Sequence, residues 1–235
     1  MRRKFLAFDV ETAKQIPGDF SAWRKHRPLG ICCAATVAGD TGEALLWNGV
    51  SDDDRPAASM NAMEVGELVK HLLEMSRRGY VIVTWNGLQF DFDVLAEESE
   101  LWDPCRELAR GHVDMMFQVV CQLGHVLSLD AAAKGMRLRG KTEGMSGQLA
   151  PELWARGEYD QVLQYVEQDA RCTLGLAEAC ERNGRLRWIS RRGGARDMPL
   201  PKGWLSVDEA LKLPLPDSSW MTNPISREQV TAWLG

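Results

Sequence analysis

Apolar and polar positions follow one another along this chain in patterns that predict a mixed α/β protein. Apolar runs over 4–9, 31–37 and 80–84 are typical of buried strands. A Gly-Asp-Thr-Gly turn follows the second run, and residues 44–47 then resume the strand pattern. The sequence therefore predicts an antiparallel hairpin over 31–47, and a further short strand closes at His112-Val113-Asp114.

Helical spacing of apolar residues accounts for most of the remaining chain. Helices are predicted over 63–75, 91–100, 115–123 and 160–182, with a further helix capped by Ser128. Residues 13–30 contain Pro17, Gly18, Pro28 and Gly30, so we expect a long loop there. A hairpin first and alternating strands and helices later indicate the α/β class.

The pattern of the sequence changes beyond about residue 188, where glycine and proline become frequent. Gly193-Gly194 and a series of prolines interrupt any long element, and short helices are expected over 207–213 and 226–234. We therefore divide the chain into a main domain, residues 1–183, and a C-terminal extension, residues 184–235.

Tryptophans are spread through this extension at positions 204, 220 and 233. Because buried aromatic rings remove large areas from water, we expect the extension to pack on the core through them. The alternative is a platform on which the bases of a single strand stack.

Composition is that of a soluble globular protein, with 45% hydrophobic and 26% charged residues among 235. No apolar run approaches the ~20 residues that span a bilayer, so no membrane association is expected. The apolar run after Met-Arg-Arg-Lys is broken by Asp9, which argues against a secretion signal. The six cysteines form no CxxC pair, and we expect buried free thiols in a reducing cytoplasm.

The net charge of −5 is unusual for a protein that binds nucleic acid, but local charge is what phosphate binding requires. Basic residues cluster over 24–27, over 137–141 and most densely over 182–202. Arg191 and Arg192, in the last cluster, are our candidates for contacts with substrate phosphates. The alternative interpretation of each cluster is a solvated surface.

Acidic residues in three separate segments carry the candidate chemistry. Asp9 and Glu11 follow a buried strand and share a face, because side chains at i and i+2 in a strand point the same way. Tyr165 and Asp169 share a face of a helix at spacing i, i+4. With Asp91, a fold that joins these segments would concentrate four carboxylates, which need cations to offset their repulsion.

Oxygen ligands favour hard divalent ions such as Mg²⁺ or Mn²⁺. Two such ions about 3.5–4 Å apart form the usual clamp for phosphodiester cleavage. A zinc-dependent hydrolase is disfavoured, since the four histidines provide no HExxH or similar spacing.

These segments resemble the three motifs of the DEDD, or DnaQ-like, 3′–5′ exonucleases, which share a ribonuclease H-like fold. The motifs are Phe8–Thr12, Asn86–Asp91 and Tyr165–Thr173, and residues 127–141 are also similar to the segment before the third motif. Tyrosine at 165 resembles the DEDDy branch, because the other branch has histidine where this chain has Gln164. The resemblance covers roughly residues 4–183.

The resemblance implies a mixed sheet, an antiparallel hairpin followed by parallel strands, flanked by helices. It implies two ions, one held by Asp9, Glu11 and Asp169 and the other mainly by Asp9, with Asp91 supporting through water. Tyr165 would face the attacking water. The substrate would be single-stranded nucleic acid with a free 3′ end, DNA favoured, and the product a nucleoside 5′-monophosphate.

The family spacing also selects between neighbouring acids. It selects Asp91 over Asp93, and helical spacing from Tyr165 selects Asp169 over Glu167. On a helix Asp91 and Asp93 point about 200° apart, so we interpret Asp93 as a solvated residue or a first-turn carboxylate favoured by the helix dipole.

Three further residues are assigned to substrate binding. Thr12 ends the first motif, Asn86 supports a turn and secondarily orients substrate, and Phe90 is a core candidate that also borders the substrate. His112 and Asp114 are expected to have ordinary hydrogen-bonded structural roles.

Two other functions stay open at this point. One is a 3′–5′ exoribonuclease, and the other is a binding module with the same fold and no catalysis. The second is disfavoured because all four carboxylates and the tyrosine are present. Protein partners are not identified by the sequence.

Overall fold

A computed structural model describes residues 3–18, 20–138, 140, 147–190 and 193–235. Its main sheet contains β1 (Lys4–Thr12), β2 (Ile31–Ala38), β3 (Ala44–Asn48), β4 (Tyr80–Thr84) and β5 (Val113–Asp114), in the order β3-β2-β1-β4-β5. Strands β1, β2 and β3 are antiparallel neighbours, whereas β4 and β5 run parallel to β1. The predicted fold class, a mixed sheet with an antiparallel hairpin followed by parallel strands, is confirmed.

Helices cover both faces of this sheet. They are α1 (Ala62–Arg77), α2 (Asp91–Ser99), α3 (Trp102–Gly111), α4 (Met115–Leu123), α5 (Leu129–Gly135), α6 (Ala150–Ala155), α7 (Tyr159–Asn183), α8 (Val207–Ala210) and α9 (Arg227–Thr231), with 3₁₀ helices at Phe20–His26 and Ala232–Leu234. Helix α1 shows how local sequence sets these bounds. The side chain of Asn61 accepts hydrogen bonds from the first-turn amides, and the side chain of Glu64 accepts one from the backbone N–H of Asn61.

The alternation of side chains along β1 divides the core into two clusters. Leu6 and Phe8 pack with α1 and α2 on one face of the sheet. Phe5 and Ala7 pack with α7 on the other face. Because successive side chains alternate, Asp9 and Glu11 continue the face of β1 that looks toward α7.

The predicted strands and helices in residues 31–123 agree closely with the structure, and 80–84 and 115–123 agree at both ends. One expectation fails, since the segment 13–30, predicted as loop, contains the 3₁₀ helix Phe20–His26. The hairpin of β6 (Arg185–Ile189) and β7 (Ala195–Pro199) was not predicted. Turn-forming residues obscured both, because proline and glycine punctuate short elements as well as loops.

The hairpin β6–β7 lies against α5 through a position without a side chain. A Cβ atom at Gly135 would lie 2.3 Å from the carbonyl oxygen of Arg187. No side chain fits there, so Gly135 allows the helix to contact the strand backbone directly.

The tryptophans beyond residue 183 have different environments. Trp204 is buried, and its indole Nε1 donates to the carbonyl of Ala177 at 3.2 Å. Trp233 is partly buried, whereas 72% of Trp220 is exposed. The division of the chain after residue 183 stays a prediction.

All six cysteines are buried with free thiols, as predicted. Within the described part of the chain, no helix combines the length and apolar character needed to cross a membrane.

Candidate active site

A cleft of about 140 Å³ opens where β1 and β4 end, and it gathers most of the predicted site residues. The predicted residues in its lining are Asp9, Glu11, Thr12, Asn86, Phe90, Asp91, Tyr165 and Asp169. Val10, Ile16, Trp85, Gly147 and Gln148 complete the lining. Side chains from three distant segments of the chain therefore meet at one edge of the sheet.

Strand β1 brings Asp9 and Glu11 to the cleft side by side. Glu11 is only 6% exposed, and it lies opposite Cys33 in the pairing of β1 with β2. A hydrogen bond with Cys32 and burial raise the pKa of the Cys33 thiol well above its ordinary value, and the negative charges of Glu11 and Asp9 raise it further. The carboxylates of Asp9 and Glu11 therefore lie close enough to Cys33 to influence its ionisation.

Helix α7 brings the third motif to the same place. It packs across β1 and β2, and the side chains of Tyr165 and Asp169 project from one face, one turn apart. They are 2% and 3% exposed, respectively. Both line the cleft that Asp9 and Glu11 line, so a phenol and three carboxylates share one small volume.

Asp91 begins α2 and connects that helix to β1. Its Oδ1 accepts a hydrogen bond from the backbone N–H of Val10 at 3.2 Å. The pairing of β1 with β4 ends at Ala7 and Val83, so Val10 lies beyond it. The carboxylate of Asp91 thus satisfies a buried amide of β1 while it contributes to the cleft.

The segment between β4 and α2, residues 85–90, is called the motif loop here. Asp114 holds this loop in place, because its carboxylate accepts hydrogen bonds from the backbone amides of Asn86 at 3.1 Å and Leu88 at 2.9 Å. The same carboxylate caps α4 by accepting from Phe117 at 3.0 Å. Burial raises the pKa of Asp114, and these backbone hydrogen bonds oppose the rise. The structural role expected for Asp114 agrees with these bonds.

Neighbouring residues bind further polar backbone groups of the motif loop. The Gly87 amide donates to Thr84 Oγ1 at 3.1 Å, and the Gln89 carbonyl accepts from Arg24 Nη2 at 3.1 Å. The Leu88 carbonyl accepts from Trp233 Nε1 at 2.6 Å. A loop held by this many partners presents Asn86 and Asp91 in fixed positions.

Two positions in this loop need a special backbone. Asn86 has φ of 76°, in the left-handed region that asparagine tolerates better than most residues. A Cβ atom at Gly87 would lie 2.5 Å from Thr84 Oγ1, the atom that accepts its amide hydrogen bond. The Asn-Gly pair of the second motif therefore has a local structural cause.

Asp93 lies near Asp91 in sequence but in a different environment. It is fully buried, and its carboxylate pairs with Arg24 at 2.8 Å and Arg27 at 2.7 Å. The interpretation of Asp93 as a solvated residue is wrong, whereas its alternative place in the first turn of α2 agrees with the structure. The burial was missed because both arginines come from the 3₁₀ helix Phe20–His26 and the residue after it, a segment expected to be a loop. These arginines are also part of the basic cluster at 24–27, so their charge is already partly neutralised.

Aromatic residues form the apolar side of the cleft. Trp85 lines it, and its Nε1 donates to the Leu127 carbonyl at 3.3 Å. Phe90 lines it too and meets Trp23 edge to face at 4.9 Å between ring centroids. Sequence reasoning missed Trp85 and Ile16. The signal for Trp85 was its position directly before Asn86, at the end of a buried strand.

The basic residues of the C-terminal cluster are only partly accounted for. Arg191 and Arg192 lie outside the described residues. Arg187 pairs with Asp197 at 2.8 Å, and Arg185 approaches the same carboxylate at 3.9 Å. The hairpin thus uses part of its positive charge within itself.

The donor chemistry of the cleft fits a hard divalent ion. Four carboxylates line it, and Asn86 Oδ1 is buried without a hydrogen-bond partner in the described part of the chain. As the side chains stand, no group of three or more His, Cys, Asp or Glu among the described residues could hold a metal ion. The fit is therefore one of ligand chemistry and not of a preformed coordination geometry among the described residues.

Comparisons with known proteins address the fold. A sequence profile of the RNase_H superfamily matches residues 50–180, which is more than half of the chain. This range includes Asn86, Asp91, Tyr165 and Asp169. No curated protein matches the chain.

Among solved structures, the chain is similar to the family B DNA polymerase from the hyperthermophilic archaeon Pyrobaculum calidifontis. The two are 23% identical with a TM-score of 0.52, and the match covers 77% of this chain and 25% of the polymerase. This chain thus spans about a quarter of that protein's length, and the likeness concerns the fold.

Proposed function

This chain belongs to the RNase H superfamily, and from that premise we propose that it is a metal-dependent 3′–5′ exonuclease of the DEDDy type. It hydrolyses phosphodiester bonds from the 3′ end of single-stranded nucleic acid, with DNA favoured, and releases nucleoside 5′-monophosphates. The observation that carries the proposal is the single cleft lined by Asp9, Glu11, Asp91, Asp169 and Tyr165. The exonuclease domain is residues 1–183, with residues 184–235 as an extension.

Two Mg²⁺ or Mn²⁺ ions are the proposed cofactors. Asp9, Glu11, Asp91 and Asp169 would hold them, because clustered carboxylates offer the oxygen ligands that such ions prefer. When bound, the ions supply an activated water and stabilise the charge on the leaving oxygen. The chain's own contribution is to keep these carboxylates within one partly enclosed volume.

Tyr165 is proposed to orient the attacking water. Its phenol is a donor and an acceptor at neutral pH, so its hydroxyl can direct a water without changing its own charge. It lines the cleft one helical turn before Asp169. The residue that orients the water and a metal ligand would therefore lie along one face of α7.

Substrate binding is proposed along the rest of the cleft. Phe90 and the neighbouring Trp85 offer an apolar wall against which a terminal base can stack. Thr12 and Asn86 place polar side chains beside it. Arg191 and Arg192 are proposed to contact backbone phosphates further along the strand.

The buried free thiols fit the cytoplasmic location that the sequence predicts.

The test uses single-stranded DNA and RNA of one sequence, each labelled at the 5′ end and incubated with Mg²⁺, Mn²⁺ or EDTA. We expect a ladder that shortens from the 3′ end with either metal, faster on DNA, and no change in EDTA. Chromatography of the products should identify nucleoside 5′-monophosphates. If RNA is cleaved faster than DNA, RNA is the favoured substrate. Intact strands with both metals would contradict the proposed function.

A further inference from the structure

We propose that the C-terminal segment, residues 200–235, supports the active site, with Trp233 as a positioning residue for the motif loop. The inference rests on the proposed function for its catalytic consequence, but its structural part stands on contacts alone. The family match ends at residue 180, so this support comes from a part of the chain outside the match.

Leu88 is held from both sides of its peptide backbone. Its amide donates to Asp114 at 2.9 Å, and its carbonyl accepts from Trp233 Nε1 at 2.6 Å. The side chain of Leu88 is itself fully buried. Asn86 and Asp91 flank this residue, so a shift of Leu88 moves the polar groups that line the cleft.

The short helix that leads to Trp233, α9, is in turn held by its buried residue Arg227. The guanidinium of Arg227 donates to four backbone carbonyl oxygens at 2.7–3.0 Å, which belong to Cys121, Leu211, Leu213 and Pro214. Cys121 lies in α4, so Arg227 fixes α9 and the 3₁₀ helix after it against that helix. Three of these carbonyls lie 13 to 16 residues from Arg227 and that of Cys121 lies 106 residues away, so the arginine joins the C-terminal segment to a distant helix.

These contacts join the motif loop, α4 and the C-terminal segment to one another. Asp114 caps α4 and binds Leu88, Trp233 binds Leu88 from the other side, and Arg227 returns the connection to α4 through Cys121. Additional bonds at the start of the segment run from Leu205 N to Gln118 Oε1 at 2.8 Å and from Val207 N to the His112 carbonyl at 2.9 Å. The segment is therefore bound at both ends to the elements that support the cleft.

The conservative substitution Trp233→Phe tests this role. It keeps an aromatic ring and removes the N–H that binds Leu88. Trp220→Phe is the matched control, because Trp220 Nε1 also donates to a backbone carbonyl, that of Asp217 at 3.1 Å, but its side chain is 72% exposed. Each variant loses the same kind of bond, and only one loss touches the motif loop.

We expect Trp233→Phe to lower kcat about tenfold with little change in KM, since a small misplacement of catalytic groups is costly. Hydrogen exchange without metal should become faster at the amides of 86–91 and stay unchanged in β2 and α7. Trp220→Phe should match the wild type in both measurements.

The outcomes separate the two proposals. Unchanged exchange at 86–91 in Trp233→Phe overturns the positioning role, and so does a loss of protection spread evenly over the whole fold. If the wild-type protein cleaves no strand with either metal, the proposed function fails, while the exchange pattern still decides whether Trp233 holds the loop.

Discussion

The two ends of strand β4 carry concave surfaces of very different chemistry. At its start, a cavity of about 420 Å³ is lined by Tyr80, Arg77, Glu107 and His112 among others. At its end, the candidate cleft is only about 140 Å³, yet four carboxylates and a tyrosine line it. The larger volume has mixed polarity and one acidic side chain, so cavity size is a poor guide to the chemistry of this fold.

The difference follows from strand direction. Because β1 and β4 are parallel, their carboxyl ends meet at one edge of the sheet. Ligands in open α/β sheets bind outside these ends, where loops can bring side chains together. Asp9 and Asp91 reach the cleft in this way, whereas the opposite end of β4 meets helix termini such as that of α1.

The largest difference in activity should separate two variants, each of which neutralises a carboxylate in one of these two concave surfaces. Asp9→Asn should reduce cleavage to the level seen in EDTA, because a metal ligand is lost. Glu107→Gln, in the larger cavity, should leave kcat and KM unchanged. Both rates can be measured on the labelled strand with Mg²⁺, and equal activity of Asp9→Asn and wild type would contradict the site assignment.

Tyr165→Phe should reduce kcat by about 10²-fold, because the attacking water loses the hydroxyl that orients it. The metal concentration for half-maximal rate should stay constant, because the ring is retained and the hydroxyl is not a proposed ligand. Single-turnover kinetics at varied Mn²⁺ would check both numbers. A large change in metal requirement with unchanged kcat would assign Tyr165 to ion binding instead.

The pair Asp91 and Asp93 should separate activity from stability within one helix. Asp93→Asn leaves Arg24 and Arg27 without their buried partner, so the free energy of unfolding should fall by about 3 kcal/mol. Asp91→Asn keeps an oxygen for the Val10 amide, so it should unfold much like wild type and lose activity. Urea titrations and cleavage rates on both variants test this contrast, which the reverse pattern would refute.

His112, at the larger-cavity end, should affect stability through pH. Burial lowers its pKa to about 4 from 6.5, so the folded protein keeps it neutral while the unfolded chain protonates. Its contribution is therefore complete above pH 6.5 and is lost as the pH falls toward 4, a change on the order of 3 kcal/mol. The difference in unfolding free energy between wild type and His112→Gln should therefore change with pH by this amount. Thermal or urea unfolding of both proteins over this pH range would measure it.

Asp114 has a raised pKa, which gives a pH dependence of opposite sign, but it is present in both proteins and cancels in their difference. Parallel stability curves for His112→Gln and wild type would contradict a neutral buried imidazole.

Much of the fold could be predicted from local patterns, for physical reasons. The run Tyr80–Thr84 is apolar and β-branched, so it defines a strand without reference to distant residues. Asp114 lies directly before an apolar helical run and caps it, so α4 begins where the sequence indicates. The spacing of Asp9 with Glu11 and of Tyr165 with Asp169 likewise sets which side chains share a face.

The rest depends on contacts between distant segments, which local patterns do not encode. Asp93 is buried because Arg24 and Arg27 reach it from 69 and 66 residues away. Trp233 donates a hydrogen bond to the Leu88 carbonyl across a separation of 145 residues. Such pairs form only when packing brings the segments together, so the support of the motif loop was not predictable from the sequence.

The most direct test of the central claim is a crystal structure of the protein soaked with Mn²⁺ and a nucleoside 5′-monophosphate, recorded with anomalous scattering. The account predicts anomalous peaks in the cleft, bound by Asp9, Glu11, Asp91 and Asp169, with the nucleotide base against Phe90 and Trp85. Peaks in the larger cavity beside Glu107, or a cleft without manganese at saturating concentration, would contradict it.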